Sequence, residues 1–174
     1  MADIPDHIVL KRHRDLAGRE WHTWAERGIL VVLTAFVVTA LLNQFGQRPT
    51  TVHAAGRAAS LELYAPDRLR AGLIYETRLR IHAHEEVKKA VLVLSGGWLE
   101  GFTMNTLVPS PLGESSKDGN LVFTLGHIPA NRTYTLYMQF QVNPTNVGDD
   151  RQDITLFDGD RRLAELRRTV TTFP

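Results

Sequence analysis

Residues 28–47 read GILVVLTAFVVTALLNQFGQ, twenty in succession without a charged side chain. At about 1.5 Å of rise per residue, a helix of that length spans roughly 30 Å, the thickness of a bilayer's hydrocarbon core. Eleven of the twenty are Ile, Leu, Val or Phe. Each favours insertion by roughly 0.3–0.6 kcal/mol near the centre, which offsets Thr34, Thr39, Asn43 and Gln44. No polar stripe recurs at helical spacing, as it would in a helix lying on a soluble core. The run is expected to be a transmembrane helix. The competing reading is a cleaved leader, for which Val52-His53-Ala54 supplies a small-x-small pattern. Leaders keep short flanks and apolar cores of about 7–15 residues. Here 27 residues precede the run, so an uncleaved anchor is expected.

Basic residues set the expected orientation. Lys11, Arg12, Arg14, Arg19 and Arg27 precede the run, whereas Arg48 and Arg57 follow it. That bias places residues 1–27 in the cytoplasm and residues 48–174 outside, at the cell membrane. Trp21 and Trp24 stand where aromatic rings favour the headgroup level. Two arrangements fit the segment before the run. Residues 13–27 lie along the membrane surface, with Leu16, Trp21 and Trp24 on one face, or they simply continue the spanning helix.

Beyond the run the period changes. Residues 48–59, rich in alanine and threonine and without an apolar face, read as a tether. From Tyr75 to His84, Tyr75, Thr77, Leu79, Ile81 and Ala83 alternate with Glu76, Arg78, Arg80, His82 and His84. That is a strand buried on one face only. Residues 89–94 suit a central strand, and 102–108, 121–125 and 154–157 suit further ones. Tyr134, Leu136, Met138, Phe140 and Val142 form the clearest apolar face of all. Asp158-Gly159 signals a hairpin. In the last segment Leu163, Leu166, Val170 and Phe173 do not share a face, which calls for a bulge or bend near Glu165. Short strands without a helical period between them imply an all-β domain over residues 60–174, an antiparallel immunoglobulin-like β-sandwich of about 7–9 strands.

The run Leu125-Gly126-His127-Ile128-Pro129-Ala130-Asn131-Arg132-Thr133, leading into the longest alternating strand, resembles a turn of the CARDB-like immunoglobulin-like domains of bacterial envelope proteins. In that family glycine stands where this chain has Asn131. An asparagine–glycine turn after the second strand is here His84-Glu85-Glu86. The resemblance implies a non-enzymatic adhesion or assembly module.

Composition excludes several chemistries. With no cysteine, disulfides, iron–sulfur clusters and thiol nucleophiles are impossible. A net charge of +1 gives no general attraction to nucleic acid. His82 and His84 put two imidazoles on one strand face, and Asp149, Asp150 and Asp153 gather in a late loop. These are the candidate metal ligands, the histidines for a transition metal and the aspartates for a hard cation. Neither set has a recognised ligand spacing, and histidine on a polar face or aspartate in a turn needs no metal. Ser95 is not in a G-x-S-x-G elbow. No catalytic residue, cofactor or small-molecule ligand is expected.

Two segments exceed what strand logic requires. Residues 96–101 place Trp98 among glycines, and residues 141–148 form an amide-rich loop with Gln141, Asn143 and Asn146. Trp98 suits a core position, and Asn143 and Asn146 suit side-chain-to-backbone turns; the functional reading is a binding edge, since such loops cluster at the end of a sandwich. In the apolar run, Ala35 and Thr39 have small-residue spacing, and Asn43 and Gln44 can hydrogen-bond to a neighbouring helix. The expected function is a single-pass accessory or protein-interaction subunit. Its partners are the bilayer and an integral membrane protein, docked through the two loops and the helix. The alternatives are a metal-dependent ectoenzyme using His82, His84 and the late aspartates, or a module that binds glycan or envelope polymer through Trp98.

Overall fold

The computed structural model describes residues 20–42 and 46–174, which fall into two compact units divided between Gln44 and Phe45. Lys11, Arg12, Arg14, Leu16 and Arg19, together with Asn43 and Gln44, lie outside the described residues.

In the first unit, helix α1 runs from Glu20 to Leu41. It passes without a break through Arg27 and Gly28, so the described part of the segment before the run continues the helix. Thr39 donates its hydroxyl to the Ala35 carbonyl one turn back at 2.7 Å, the usual way a helical threonine satisfies itself in an apolar stretch. The helix is long and apolar enough to cross a membrane, and none of it is buried against protein. Arg27 packs its guanidinium over the Trp24 ring at 5.5 Å.

In the second unit the expected alternations become strands. One sheet has the order β1-β2-β4-β9-β6, built from β1 (Pro49–Ala55), β2 (Ala59–Pro66), β4 (Ile74–Ala83), β6 (Phe102–Val108) and β9 (Thr133–Val142). The facing sheet has the order β12-β11-β5-β8-β7, built from β5 (Val87–Leu94), β7 (Gly113–Lys117), β8 (Asn120–Ile128), β11 (Ile154–Asp158) and β12 (Arg161–Leu166). All pairings in these two sheets are antiparallel. A smaller sheet, β10-β13-β3, joins β3 (Arg68–Arg70), β10 (Gly148–Arg151) and β13 (Thr169–Phe173), with β13 and β3 parallel. The expected antiparallel sandwich is the observed fold, with thirteen strands among the described residues in place of the expected 7–9, β1, β3, β7 and β10 having little apolar signal.

The inward residues form one core. Leu61, Leu63, Leu79, Ile81, Leu136, Met138 and Phe140 come from the first sheet, and Leu92, Leu94, Phe123, Ile154, Leu156 and Leu166 from the second. Each such side chain contributes roughly 1.5–3 kcal/mol through burial. On β4 and β9 the buried and outward residues follow the expected parity. Thr77 is the polar exception, and its hydroxyl donates to the Met138 carbonyl at 3.4 Å.

One boundary is corrected. Most of the tether is a strand: β1 pairs along its whole length with β2, and Val52 and Ala54 pack against the core. Small alternating residues suffice at a sheet edge, where the burial required is slight. The final segment carries the irregularity expected near Glu165: Leu156 pairs with Ala164 and Phe157 with Arg162, so Leu163 of β12 is the bulged residue. The segment is also divided into two strands, β12 and β13, which belong to different sheets and are separated at Arg167 and Arg168. Finally, Asn131 adopts φ +58. That is the left-handed region, a conformation asparagine tolerates through its short polar side chain.

Candidate interaction site at the near end of the sandwich

The sandwich has two ends. At the near end, where the chain joins it, Pro49 pairs with Pro66 and the Gln47 amide donates to the Ile74 carbonyl at 3.5 Å. At the far end the Asn131 amide donates to the Ala83 carbonyl at 2.8 Å, and the Ala83 amide to the Arg132 carbonyl at 3.0 Å. Segments 96–101 and 141–148 are brought together at the near end. The Asn143 amide donates to the Gly101 carbonyl at 2.9 Å, and the Asn146 amide to the Asn143 carbonyl at 3.0 Å.

Glycine is required here by close approach. A Cβ on Gly97 would run into the Arg151 carbonyl, and one on Gly101, at φ +75, into the Asn146 side chain. Removing both side chains lets the 3-10 turn Gly96–Trp98 lie backbone to backbone against the end of β10. The Ser95 hydroxyl fixes that contact, accepting from the Asp153 amide at 2.9 Å and donating to the Arg151 carbonyl at 3.3 Å.

Trp98 is wholly buried. Its indole N–H donates to the Asp153 carbonyl at 3.2 Å, and its ring lies 5.3 Å from that of Phe140. It supports the site from beneath and presents no surface to a ligand, so a glycan cannot stack on it. Over its other side sits Arg168, with the guanidinium 5.2 Å from the ring centroid. Arg168 is also buried. Its Nε and Nη2 donate to Gln152 Oε1 at 3.1 and 2.8 Å, and Nη2 also donates to the Pro66 carbonyl at 3.1 Å. Gln152, fully buried, donates in turn to the Gly97 carbonyl at 3.4 Å. Burial lowers Arg168 to about 10, and the nearby Tyr75 and Asp67 oppose the change. Burial pushes the Tyr75 hydroxyl up to about 12, with Gln152 and Arg168 pulling the other way. The Tyr75 oxygen and Arg168 Nη1 have no partner within hydrogen-bonding geometry. Sequence reasoning missed this polar cluster, because neither glutamine nor an arginine doublet carries a signal for burial.

Above the cluster, Gln141 and Asn143 are exposed, and the Asn143 side chain accepts from the Thr103 hydroxyl at 3.5 Å. Asn146 is half-buried and donates to Asp150 at 3.0 Å, so its amide holds the loop's own shape. Leu99, Leu73, Ile74 and Val147 are exposed at the same end. The surface offered is thus amide and aliphatic, of the kind found at protein interfaces. In the helix, the Thr39 hydroxyl is already engaged with Ala35.

The candidate metal ligands are kept apart. His82 and His84 stack edge to face at 4.9 Å near the far end, where His82 Nδ1 meets the Thr133 hydroxyl at 3.0 Å. Asp149 accepts from Thr171 at 2.7 Å, Asp150 from Asn146, and Asp153 from Arg151 at 2.9 Å, all at the near end. The two sets cannot share one centre. Among the described residues no group of three or more His, Asp or Glu side chains could hold an ion.

No protein-family model matches the chain, and no curated protein is similar to it. Several solved structures show a distant similarity to it. One is AvmM, which catalyses macrocyclisation in alchivemycin A biosynthesis: 7% identity, TM-score 0.47, covering 67% of this chain and 89% of AvmM. Another is a FixG-related protein from Vibrio parahaemolyticus: 12% identity, TM-score 0.38, covering 67% of this chain and 98% of the other. A third is the chitin-binding domain of a Pyrococcus furiosus chitinase: 17% identity, TM-score 0.37, covering 63% and 95%.

Proposed function

We propose that the chain is a membrane-anchored accessory subunit, a non-enzymatic sandwich that binds an integral membrane protein at the outer face of the membrane. The helix is its uncleaved anchor, with the N-terminus inside, and the immunoglobulin-like architecture is the display scaffold, as in envelope modules of the CARDB-like kind. One observation carries the reading. Two loops far apart in sequence, 96–101 and 141–148, are locked together at the end where the chain joins the sandwich, leaving Gln141, Asn143 and Val147 outward.

The geometry explains why that end would be the docking face. Backbone contact at Gly97 and Gly101, with Trp98 and Arg168 beneath, makes the loops a rigid surface, so little ordering entropy is lost on binding. Because β1 begins at Pro49, only residues 42–48 separate helix and sandwich in sequence. A short connection keeps the domain near a partner that the helix has already met, which raises its effective concentration. Ala35 supports close helix approach, while Asn43 and Gln44 supply hydrogen-bonding amides.

The test is extraction of the full chain in mild detergent. It is expected to migrate as a complex. Replacing Gln141 and Asn143 by alanine, or residues 28–47 by an unrelated apolar helix, is expected to weaken that complex without unfolding the sandwich. Migration as a lone monomer, indifferent to both changes, overturns the reading.

A further inference from the structure

The outward face of the sheet β1-β2-β4-β9-β6 carries an organised row that the near-end site does not use. Register sets Tyr64 of β2 opposite Arg78 of β4, Arg78 opposite Tyr137 of β9, and Tyr137 opposite Val108 of β6. All four side chains point away from the core because each strand alternates. Tyr64 is 39% exposed, Tyr137 53% and Val108 52%. The Arg78 guanidinium lies 5.1 Å from the Tyr64 ring centroid, yet its buried Nε has no hydrogen-bond partner. The ridge crosses four adjacent strands, with Tyr137 exposed and Tyr64 exposed apart from the ring face that Arg78 covers.

Open depressions flank the ridge on both sides. Beside Tyr137 is one of about 180 Å³, lined by Glu76, Thr106 and Gln139 among others. Across from it is one of about 660 Å³, lined by Ser60, Glu62, Arg80 and Thr135 among others. Glu62 and Arg80 form an ion pair at 3.2 Å between the strands. With Glu76 and Arg78, the face holds two acids and two bases.

We propose that this face binds an extended polysaccharide chain, with Tyr64 and Tyr137 as stacking platforms and the flanking hydroxyl, amide and carboxylate groups as hydrogen-bonding partners. A sugar ring presents apolar C–H faces and a rim of hydroxyls. It therefore matches an aromatic ring bordered by mixed donors and acceptors. Tyr64 and Tyr137 lie on strands separated by one other, about twice the 4.7–4.9 Å strand spacing apart. That distance suits two rings meeting alternate sugars of one extended chain. Balanced charge favours a neutral polyhydroxyl ligand over nucleic acid or an anionic surface. A peptide added as a strand needs an open sheet edge, whereas the backbone groups of β2, β4 and β9 are engaged on both sides. This proposal stands apart from the accessory-subunit reading, since it uses a different face and no membrane partner. It also moves the glycan-binding alternative from Trp98 to exposed rings.

The experiment uses the full chain in mild detergent, mixed with particles of chitin, cellulose and peptidoglycan sacculi and recovered by sedimentation. Retention on at least one polysaccharide is expected. The double variant Y64A/Y137A is expected to weaken it by about tenfold or more, as loss of exposed aromatic anchors does. Y64F/Y137F, which keeps both rings, is expected to stay within about threefold of wild type. Both pairs lie on the solvent face, and unchanged β-type circular dichroism checks folding. Failure to sediment with any of the three polysaccharides overturns the proposal. Retention that survives Y64A/Y137A, or that Y64F/Y137F abolishes, does so as well. Capture by an immobilised polyproline peptide in place of polysaccharide would assign the ridge to a protein ligand and overturn it too.

Discussion

Arg168 lies over Trp98, guanidinium carbon to ring centroid 5.2 Å, with both side chains buried. This pair joins the small sheet β10-β13-β3 to the main core. Trp98 reaches down to Phe140 of β9, while Arg168 reaches across to Gln152 and to the Pro66 carbonyl at the end of β2. The near end is therefore held by one aromatic and one cation, and the loops above it inherit their rigidity.

Trp98→Ala removes the largest buried side chain and is expected to destabilise the sandwich by about 3–5 kcal/mol in chemical denaturation. Arg168→Ala leaves Gln152 Oε1 and the Pro66 carbonyl without their donor, at about 1–3 kcal/mol for each buried group. The double variant is expected to show a coupling of roughly 0.5–2 kcal/mol between the two sites. Strict additivity would mean that the stacked geometry contributes nothing.

The glycines make a sharper comparison. Gly97→Ala drives a methyl group into backbone, whereas Gly72→Ala, at φ +79, meets nothing within 4 Å. Gly72→Ala is expected to lose about 1–2 kcal/mol from backbone strain alone. Gly97→Ala, although not in the left-handed region, is expected to lose more. Thermal melts of the two variants measure the order, and the reverse order would contradict the backbone contact at Arg151.

Alkaline titration separates two opposing groups. Tyr75, raised from 10.0 to about 12 by burial, stabilises the fold fully below pH 10, and that contribution is lost as pH rises to about 12. Arg168, lowered to about 10 by burial, acts with the opposite sign: burial of its charge weighs against the fold below pH 10 and is relieved as pH rises above it. In wild type the two changes offset one another. Tyr75→Phe deletes the tyrosine change and a hydroxyl that lacks a hydrogen bond. Its stability relative to wild type is expected to be near equal at pH 8 and to grow by on the order of 2 kcal/mol between pH 10 and 12. Urea midpoints at the two pH values measure this, and a constant difference would refute it.

The anchor is tested by Val37→Arg, which puts a charge at the middle of the uncharged run. Insertion is expected to lose about 2.5–3.5 kcal/mol, seen as a large soluble or degraded fraction on membrane sedimentation. With the intact helix, a reporter fused after Pro174 is expected to read as outside. Cytoplasmic activity of that fusion would reverse the orientation.

Local rules made much of the architecture readable. An uncharged run of twenty residues reads as an apolar helix of bilayer length, and strict alternation from Tyr75 to Ala83 or from Tyr134 to Val142 reads as a half-buried strand. Those periods determined the helix, the antiparallel sandwich, the inward face of each long strand and the hairpin at Asp158-Gly159. Pairing between distant segments was left to the tertiary structure. β1 and β10 carry almost no apolar signal and are strands because β2 and β13 offer them hydrogen bonds. Arg168 looked like its solvated neighbour Arg167, and only the arrival of Trp98, Gln152 and Pro66 from three other elements explains its burial. Trp98 among glycines suited either the core or a binding edge, and the packing of Gly97 on Arg151 placed it in the core. Tyr64, Arg78 and Tyr137 stood among unremarked outward positions, because a row across strands exists only once register is set. Periodicity along a chain reports which face of an element is dry, while what meets across that face depends on which elements the fold brings side by side.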